Sequence, residues 1–179
     1  QGASTLTKYK SHEIVPDLNQ GGWHDAGDDD LRVESQIGTV WNLALMLEEF
    51  NIESYDATSI DYDKKIVEIH QPDGKSDALQ QMEHGLASIL AGYRSMGRLY
   101  RGIITNSLKQ YVLLGDFGGG TDGIWNPNPS AKDDDRWVFT EDNPDRELNV
   151  AAGLAASYRV LKVKNPKLAT ECLETAKAL

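Results

Sequence analysis

Asp25 and Asp28 stand three positions apart in the run GGWHDAGDDD, residues 21–30, separated only by Ala26 and Gly27. Three residues span at most ~10 Å between Cα atoms and a turn shortens that, so both carboxylates are expected on one wall of a pocket. Gly21, Gly22 and Gly27 permit the sharp turn and the close backbone approach that such a wall needs. Two like charges this close ionise together only where water, a cation or a hydrogen-bond donor compensates them, and a tuned carboxylate arises in that way. The chemistry this spacing suits is the binding and deprotonation of a water molecule.

Other readings compete. Asp25 and Asp28 can instead cap a helix starting near Leu31, with Asp29 and Asp30 reinforcing its dipole. Calcium held by Asp25, Asp28, Asp29 and Asp30 is a further reading, although the spacing departs from the D-x-D-x-D-G register of a known loop. In hydrolysis of a glycoside the acid and base flank the scissile bond, roughly 6.5 to 9.5 Å apart when a water fits between base and sugar. Neighbours on one wall can share that water, but neither reaches the leaving oxygen from the opposite side. A third carboxylic acid from elsewhere is required.

The elements that must position this wall read as helices. Val33, Ile37, Val40, Trp41, Ala44 and Leu47 recur at three and four, and Leu43, Met46 and Phe50 widen the face, which predicts a helix lying between layers of others. Ser76 and Asp77 offer an N-cap, with Gln80 in capping-box position, ahead of Leu79, Met82, Leu86, Ile89, Leu90 and Tyr93. Asn143-Pro144 and Asn165-Pro166 each pair a capping side chain with proline at the first helical position. Within residues 103–114 the short apolar run Tyr111, Val112, Leu113 and Leu114 reads as a strand or a helix end, and the stretch 115–142, rich in Gly, Pro and Asp, as a long ordered loop carrying Trp125 and Trp137. The last apolar stripe runs unfinished to Leu179, so the chain is read as incomplete; residues 1–20 are a candidate linker from a preceding domain. The chain opens on Gln1 without a signal peptide, so a removed leader or an excised piece is expected.

Composition bounds the partners. The 179 residues carry a formal net charge of -10, spread along the whole sequence, which disfavours a nucleic-acid backbone as partner. No apolar run approaches a membrane span, so no membrane insertion is expected. Cys172 is the only cysteine; it lies in a helical stripe and reads as a small core residue. The glycine-rich GDFGGGTDG lacks the Lys-Ser/Thr of a phosphate loop. The acidic run at 132–136 reads as a solvated loop, with calcium possible there. Trp23, Trp125 and Trp137 fall in loops and can cover the apolar face of a pyranose, whereas Trp41 belongs to a core stripe. His24 can orient an aspartate or touch a ligand, or can be a satisfied structural histidine.

At these residues the sequence resembles glycoside hydrolase family 9. GGWHDAGD, residues 21–28, is similar to that family's GGW-[YH]-DAGD segment. QQMEHGLASIL (80–90), YVLLGD (111–116) and NPDRELNVAAGLAASYRVLKVKNP (143–166) resemble three further family segments in the same order. The resemblance implies an all-α fold, part of an (α/α)6 barrel with long loops, over residues 1–179. It implies an inverting endoglucanase-like hydrolase acting on β-1,4 bonds of a glucan or related polysaccharide, with Asp28 as base and Asp25 holding the water. Trp23, His24 and Trp125 are the substrate-binding candidates, and no cofactor is required. His84 stands where Trp is common, and Asp122-Gly123 replaces the usual Asp-His, which points to a cleft differing from that of ordinary cellulases. The family's acid glutamate lies in a C-terminal region absent here. None of Glu34, Glu83, Glu141 and Glu147 is assigned that role, and the remainder of the catalytic domain is an implied partner. The fragment alone is expected to be inactive, and the protein secreted, periplasmic or at the cell surface. A non-catalytic carbohydrate-binding or interaction domain on the same scaffold is the alternative, and a plain helical domain in which the aspartates only cap is a third reading.

Overall fold

The computed structural model describes residues 6–11, 13–18, 20–24, 30–50, 52–61, 63–105 and 136–179. In chain order the elements are β1 (Leu31–Arg32), α1 (Val33–Phe50), β2 (Thr58–Asp61), β3 (Ile66–Ile69), α2 (Asp77–Met96), β4 (Gly102–Thr105), β5 (Arg136–Phe139), α3 (Pro144–Lys164) and α4 (Pro166–Ala178). The fold is mostly helical, but the expectation of an all-α chain needs correction. Among the described residues there are two small antiparallel sheets, one ordered β1-β4-β5 and one made of β2 and β3. Short strands were hidden because two- to four-residue pairings carry no periodic signal of their own.

Helix α1 packs on both α2 and α3, and α3 packs on α4. Its stripe Val33, Ile37, Val40, Ala44 and Leu47 is buried, as the three-and-four spacing predicts. The widened face is not covered to the same degree: Met46 and Phe50 remain 40% and 73% exposed. Gly153 lets α3 close on α1, since a Cβ there would stand 2.4 Å from Ile37 Cγ1. Cys172 is fully buried and belongs to the core, as its stripe implies, and Trp41 packs against that core half-buried.

The helix starts follow the expected chemistry with one exception. Asn143 Oδ1 accepts from Arg146 N at 3.1 Å, and Asn165 Oδ1 from Leu168 N at 3.2 Å, ahead of Pro144 and Pro166. Asn165 also ends α3, its own N–H donating to Leu161 O at 2.8 Å. At α2 the cap is Ser76, but no capping box closes: Gln80 Nε2 donates to Asp73 Oδ2 at 3.0 Å instead. Asp77 is drawn to the β2 approach, where it accepts from Ala57 N and Thr58 N at 3.2 Å.

Sheet β1-β4-β5 matters most for the site. Leu31 pairs with Ile103 and Arg32 with Gly102, and the backbone of Val33 donates to Arg101 O. The chain leaving residues 25–29 is thereby fixed at once to an element about seventy positions away. Residues 103–105 form most of β4, while the ambiguous apolar run 111–114 lies outside the described residues. Trp137, expected in a loop, lies instead on β5, with Ile104 opposite it. Residues 136–139 of the expected long loop are therefore strand, set by pairing with β4.

Candidate active site

The approach to the carboxylate segment is built by glycine. Gly21 and Gly22 have φ of +57° and +81°, the left-handed region that disfavours a side chain. A Cβ on Gly21 would lie 2.2 Å from the carbonyl oxygen of His84, and one on Gly22 would lie 2.9 Å from Ser88 Oγ. The turn thus presses directly onto the second turn of α2.

Two residues then grip two consecutive residues. Gly22 N donates to His84 O at 2.9 Å, and the His84 imidazole Nε2 meets Gly22 O at 2.8 Å. A carbonyl only accepts, so that nitrogen carries a proton. One residue of α2 therefore satisfies both polar groups of Gly22. Trp23 is held the same way from α1: Trp23 N donates to Gln36 Oε1 at 2.9 Å, and Gln36 Nε2 donates to Trp23 O at 2.8 Å. Gln36 is 1% exposed, so both its amide ends are spent inside the core edge on this one residue.

The Trp23 ring follows from that backbone. It lies edge-on to His84 with centroids 5.7 Å apart, and its Nε1 donates to Gln81 Oε1 at 3.1 Å. Gly85 supplies the space, since a Cβ there would stand 2.5 Å from Trp23 Cζ3. The residue is half-buried. His24 is exposed, and its Nε2 lies 2.9 Å from Arg136 Nη1 on β5. Arginine only donates, so His24 Nε2 accepts there and its neutral ring carries the proton on Nδ1.

Among the predicted site residues, the structure describes Trp23, held by α1 and α2, and His24, in contact with Arg136 on β5. Asp25, Asp28 and Trp125 lie outside the described residues, as do Asp122 and Gly123. Asp30, read as reinforcing a helix dipole, is 3% exposed and paired through Oδ2 to Arg32 Nε at 3.0 Å. Its other oxygen, Oδ1, is buried without a hydrogen-bond partner. Among the described residues no group of His, Cys, Asp or Glu is arranged to hold a metal ion.

Three glutamates set aside as acid candidates are engaged elsewhere. Glu34 and Glu141 both pair with Arg146, and Glu83 Oε1 accepts from Asn165 Nδ2 at 2.9 Å. Gln36, Arg136 and the gripping role of His84 were missed by sequence reasoning. For Gln36 a signal existed: a polar residue inside the stripe of Val33, Ile37 and Val40 has to find an internal partner. For Arg136 none did, because its neighbour His24 is 112 positions away.

A family model described as glycosyl hydrolase family 9 matches residues 2–179. Among solved structures, a thermostable endoglucanase mutant from Alicyclobacillus acidocaldarius is similar at a TM-score of 0.56 and 19% identity, over 88% of this chain and 26% of that one. The cellulase Cel9M of C. cellulolyticum aligns at 0.55 and 19%, covering 88% and 32%. A Bacteroides ovatus GH9 structure aligns at 0.57 and 19%, covering 88% and 25%. No curated protein matches. The chain spans about a quarter to a third of the length of these structures, whose likeness bears on the fold.

Proposed function

The chain belongs to glycosyl hydrolase family 9, and from that premise we propose that the whole protein hydrolyses β-1,4-glycosidic bonds in a glucan or related polysaccharide, with inversion. The observation that carries this is the family match over residues 2–179, which includes both aspartates of the carboxylate segment. In this reading Asp28 removes the proton from water as it attacks the anomeric carbon, and Asp25 holds that water. A glutamic acid outside this chain protonates the departing oxygen from the opposite face.

The half-buried Trp23 supports the binding side of the reading, because a fixed, partly exposed indole suits the apolar face of a pyranose. His24 stands next to it, oriented by Arg136. Trp125 is the further binding candidate. The scaffold is part of an (α/α)6 barrel completed by the remainder of the catalytic domain, and residues 1–179 alone do not turn over substrate. The protein acts at the cell surface, in the periplasm or outside the cell. No helix among the described residues is long and apolar enough to cross a membrane. No cofactor is needed for the reaction, and calcium, if bound, has a structural role.

The test is Asp28→Asn in the full-length protein, assayed on cellulose, mixed-linkage glucan, xyloglucan and chitosan fragments. Loss of turnover on the wild-type substrate by at least a thousandfold, with an unchanged circular dichroism spectrum, is expected. Retained turnover refutes the base assignment. A wild-type protein that binds these glycans and hydrolyses none of them replaces the enzyme reading with a binding one.

A further inference from the structure

Two consecutive residues ahead of Asp25 are each gripped through both backbone polar groups by a single residue of a different helix. His84 on α2 takes the N–H and C=O of Gly22, and Gln36 on α1 takes the N–H and C=O of Trp23, all four hydrogen bonds being 2.8–2.9 Å long. Such double grips remove the rotational freedom that a single hydrogen bond leaves. Trp23 backbone direction is thus set by α1, Gly22 by α2, and the two helices are themselves packed together. On the far side, Leu31 enters β1 and pairs with Ile103. Only residues 25–29 separate His24 from the buried Asp30.

We propose that His84 and Gln36 are positioning residues for the reaction: by fixing the Gly22 and Trp23 peptides they set the direction in which the chain delivers His24 and Asp25. This rests on the reading of Asp25 and Asp28 as the water-activating pair. The choice of residues is specific. Position 84 needs a side chain that donates from a point near the tip of an imidazole, while its own carbonyl receives Gly22 N–H. Position 36 needs an acceptor and a donor on one group, which among uncharged side chains of this length only a primary amide supplies. A misplacement of about 1 Å in a catalytic arrangement costs on the order of a hundredfold in rate, so loss of either grip acts on kcat. The indole itself keeps its seat at Gly85 and its bond to Gln81, so KM is largely spared.

The experiment uses the full-length protein with His84→Leu, His84→Gln, Gln36→Met and Asp28→Asn, read by steady-state kinetics on cellotetraose and by amide hydrogen exchange. His84→Leu and Gln36→Met are expected to lower kcat about 10- to 100-fold with KM within about threefold. His84→Gln, whose amide still reaches Gly22 O, recovers most of the lost kcat. Exchange at Trp23 N–H accelerates at least tenfold in Gln36→Met while the core amides of α1 and α2 keep their protection. Wild-type kcat in both apolar variants overturns the proposal, and so does His84→Gln as impaired as His84→Leu. Unchanged exchange at Trp23 in Gln36→Met overturns it without reference to activity. Turnover retained by Asp28→Asn strikes the base reading, whereas the exchange result judges the grips on their own.

Discussion

Replacing Gly85 by alanine separates a seated Trp23 from a loosely resting one. In an ordinary helix interior the change gains about 1 kcal/mol, because glycine is the poorer helix former. Here the new Cβ would stand 2.5 and 2.6 Å from Trp23 Cζ3 and Cη2, and 2.5 Å from Val40 Cγ2. A carbon pair settles near 3.5–4.0 Å, so two partners on opposite sides must each retreat by about 1 Å. Overpacking of this kind costs roughly 1–3 kcal/mol. Set against the propensity gain, the net expectation is a loss of about 0–2 kcal/mol. Urea unfolding followed by far-ultraviolet circular dichroism measures it. In a Trp23→Ala background one of the two overlaps is gone, and the same Gly85→Ala change is expected to cost about 1 kcal/mol less, a coupling that a double-mutant cycle reads directly. A full 1 kcal/mol gain from Gly85→Ala in the wild-type background, or strict additivity with Trp23→Ala, refutes the seat.

Further outcomes follow from other parts of the fold. Gly21→Ala places a side chain at φ +57° and 2.2 Å from a backbone carbonyl that cannot rotate away; it is expected to destabilise by more than the ~1 kcal/mol of left-handed strain alone, whereas Gly38→Ala, with open space around it, gains stability in the same melts. Burial pushes the Cys172 thiol up to about 12, with Glu171 adding to the shift; its folded value exceeds the unfolded one near 8.5, so its contribution is complete below about pH 8.5 and is lost as pH rises toward 12. Native protein is therefore expected to react with a disulfide reagent at pH 8 only as fast as it opens, and a fast reaction in the absence of urea contradicts the burial. Arg159 holds the Glu48 carboxyl below its usual range by a two-pronged contact of 2.7 and 2.8 Å; a lowered value contributes above the unfolded value and is lost on acidification, but the pair is solvent-facing, so Glu48→Gln is expected to cost under about 0.5 kcal/mol and less at 1 M salt.

The helices were legible because burial on one stripe repeats along the chain: Val33 to Leu47 and Met82 to Leu90 follow the period that the core imposes. The caps at Asn143 and Asn165 were legible because they are chemistry between neighbours. What escaped depends on partners distant in sequence. β4 is defined by Leu31 on one side and Val138 on the other, and neither announces the pairing. Asp77 was drawn out of a local cap by Ala57 and Thr58, and Gln80 by Asp73, because these backbone and side-chain partners come within reach only in the folded chain. At the candidate site, the sequence singled out Trp23 and His24 as binding candidates, while Gln36 and Arg136, which contact them, reach across 13 and 112 positions.

The register of β1 against β4 has a kinetic consequence. Leu31 and Ile103 are brought together only after a loop of about seventy residues has closed, an entropic cost that local helix formation does not meet. Helices α3 and α4, joined through the single residue Asn165, need no such closure and can form as a hairpin on their own timescale. The β1–β4 pairing is then among the last parts of the described chain to become organised. A refolding experiment should show helical signal well before amide protection in β1 and β4 returns, and simultaneous recovery of the two would contradict that order.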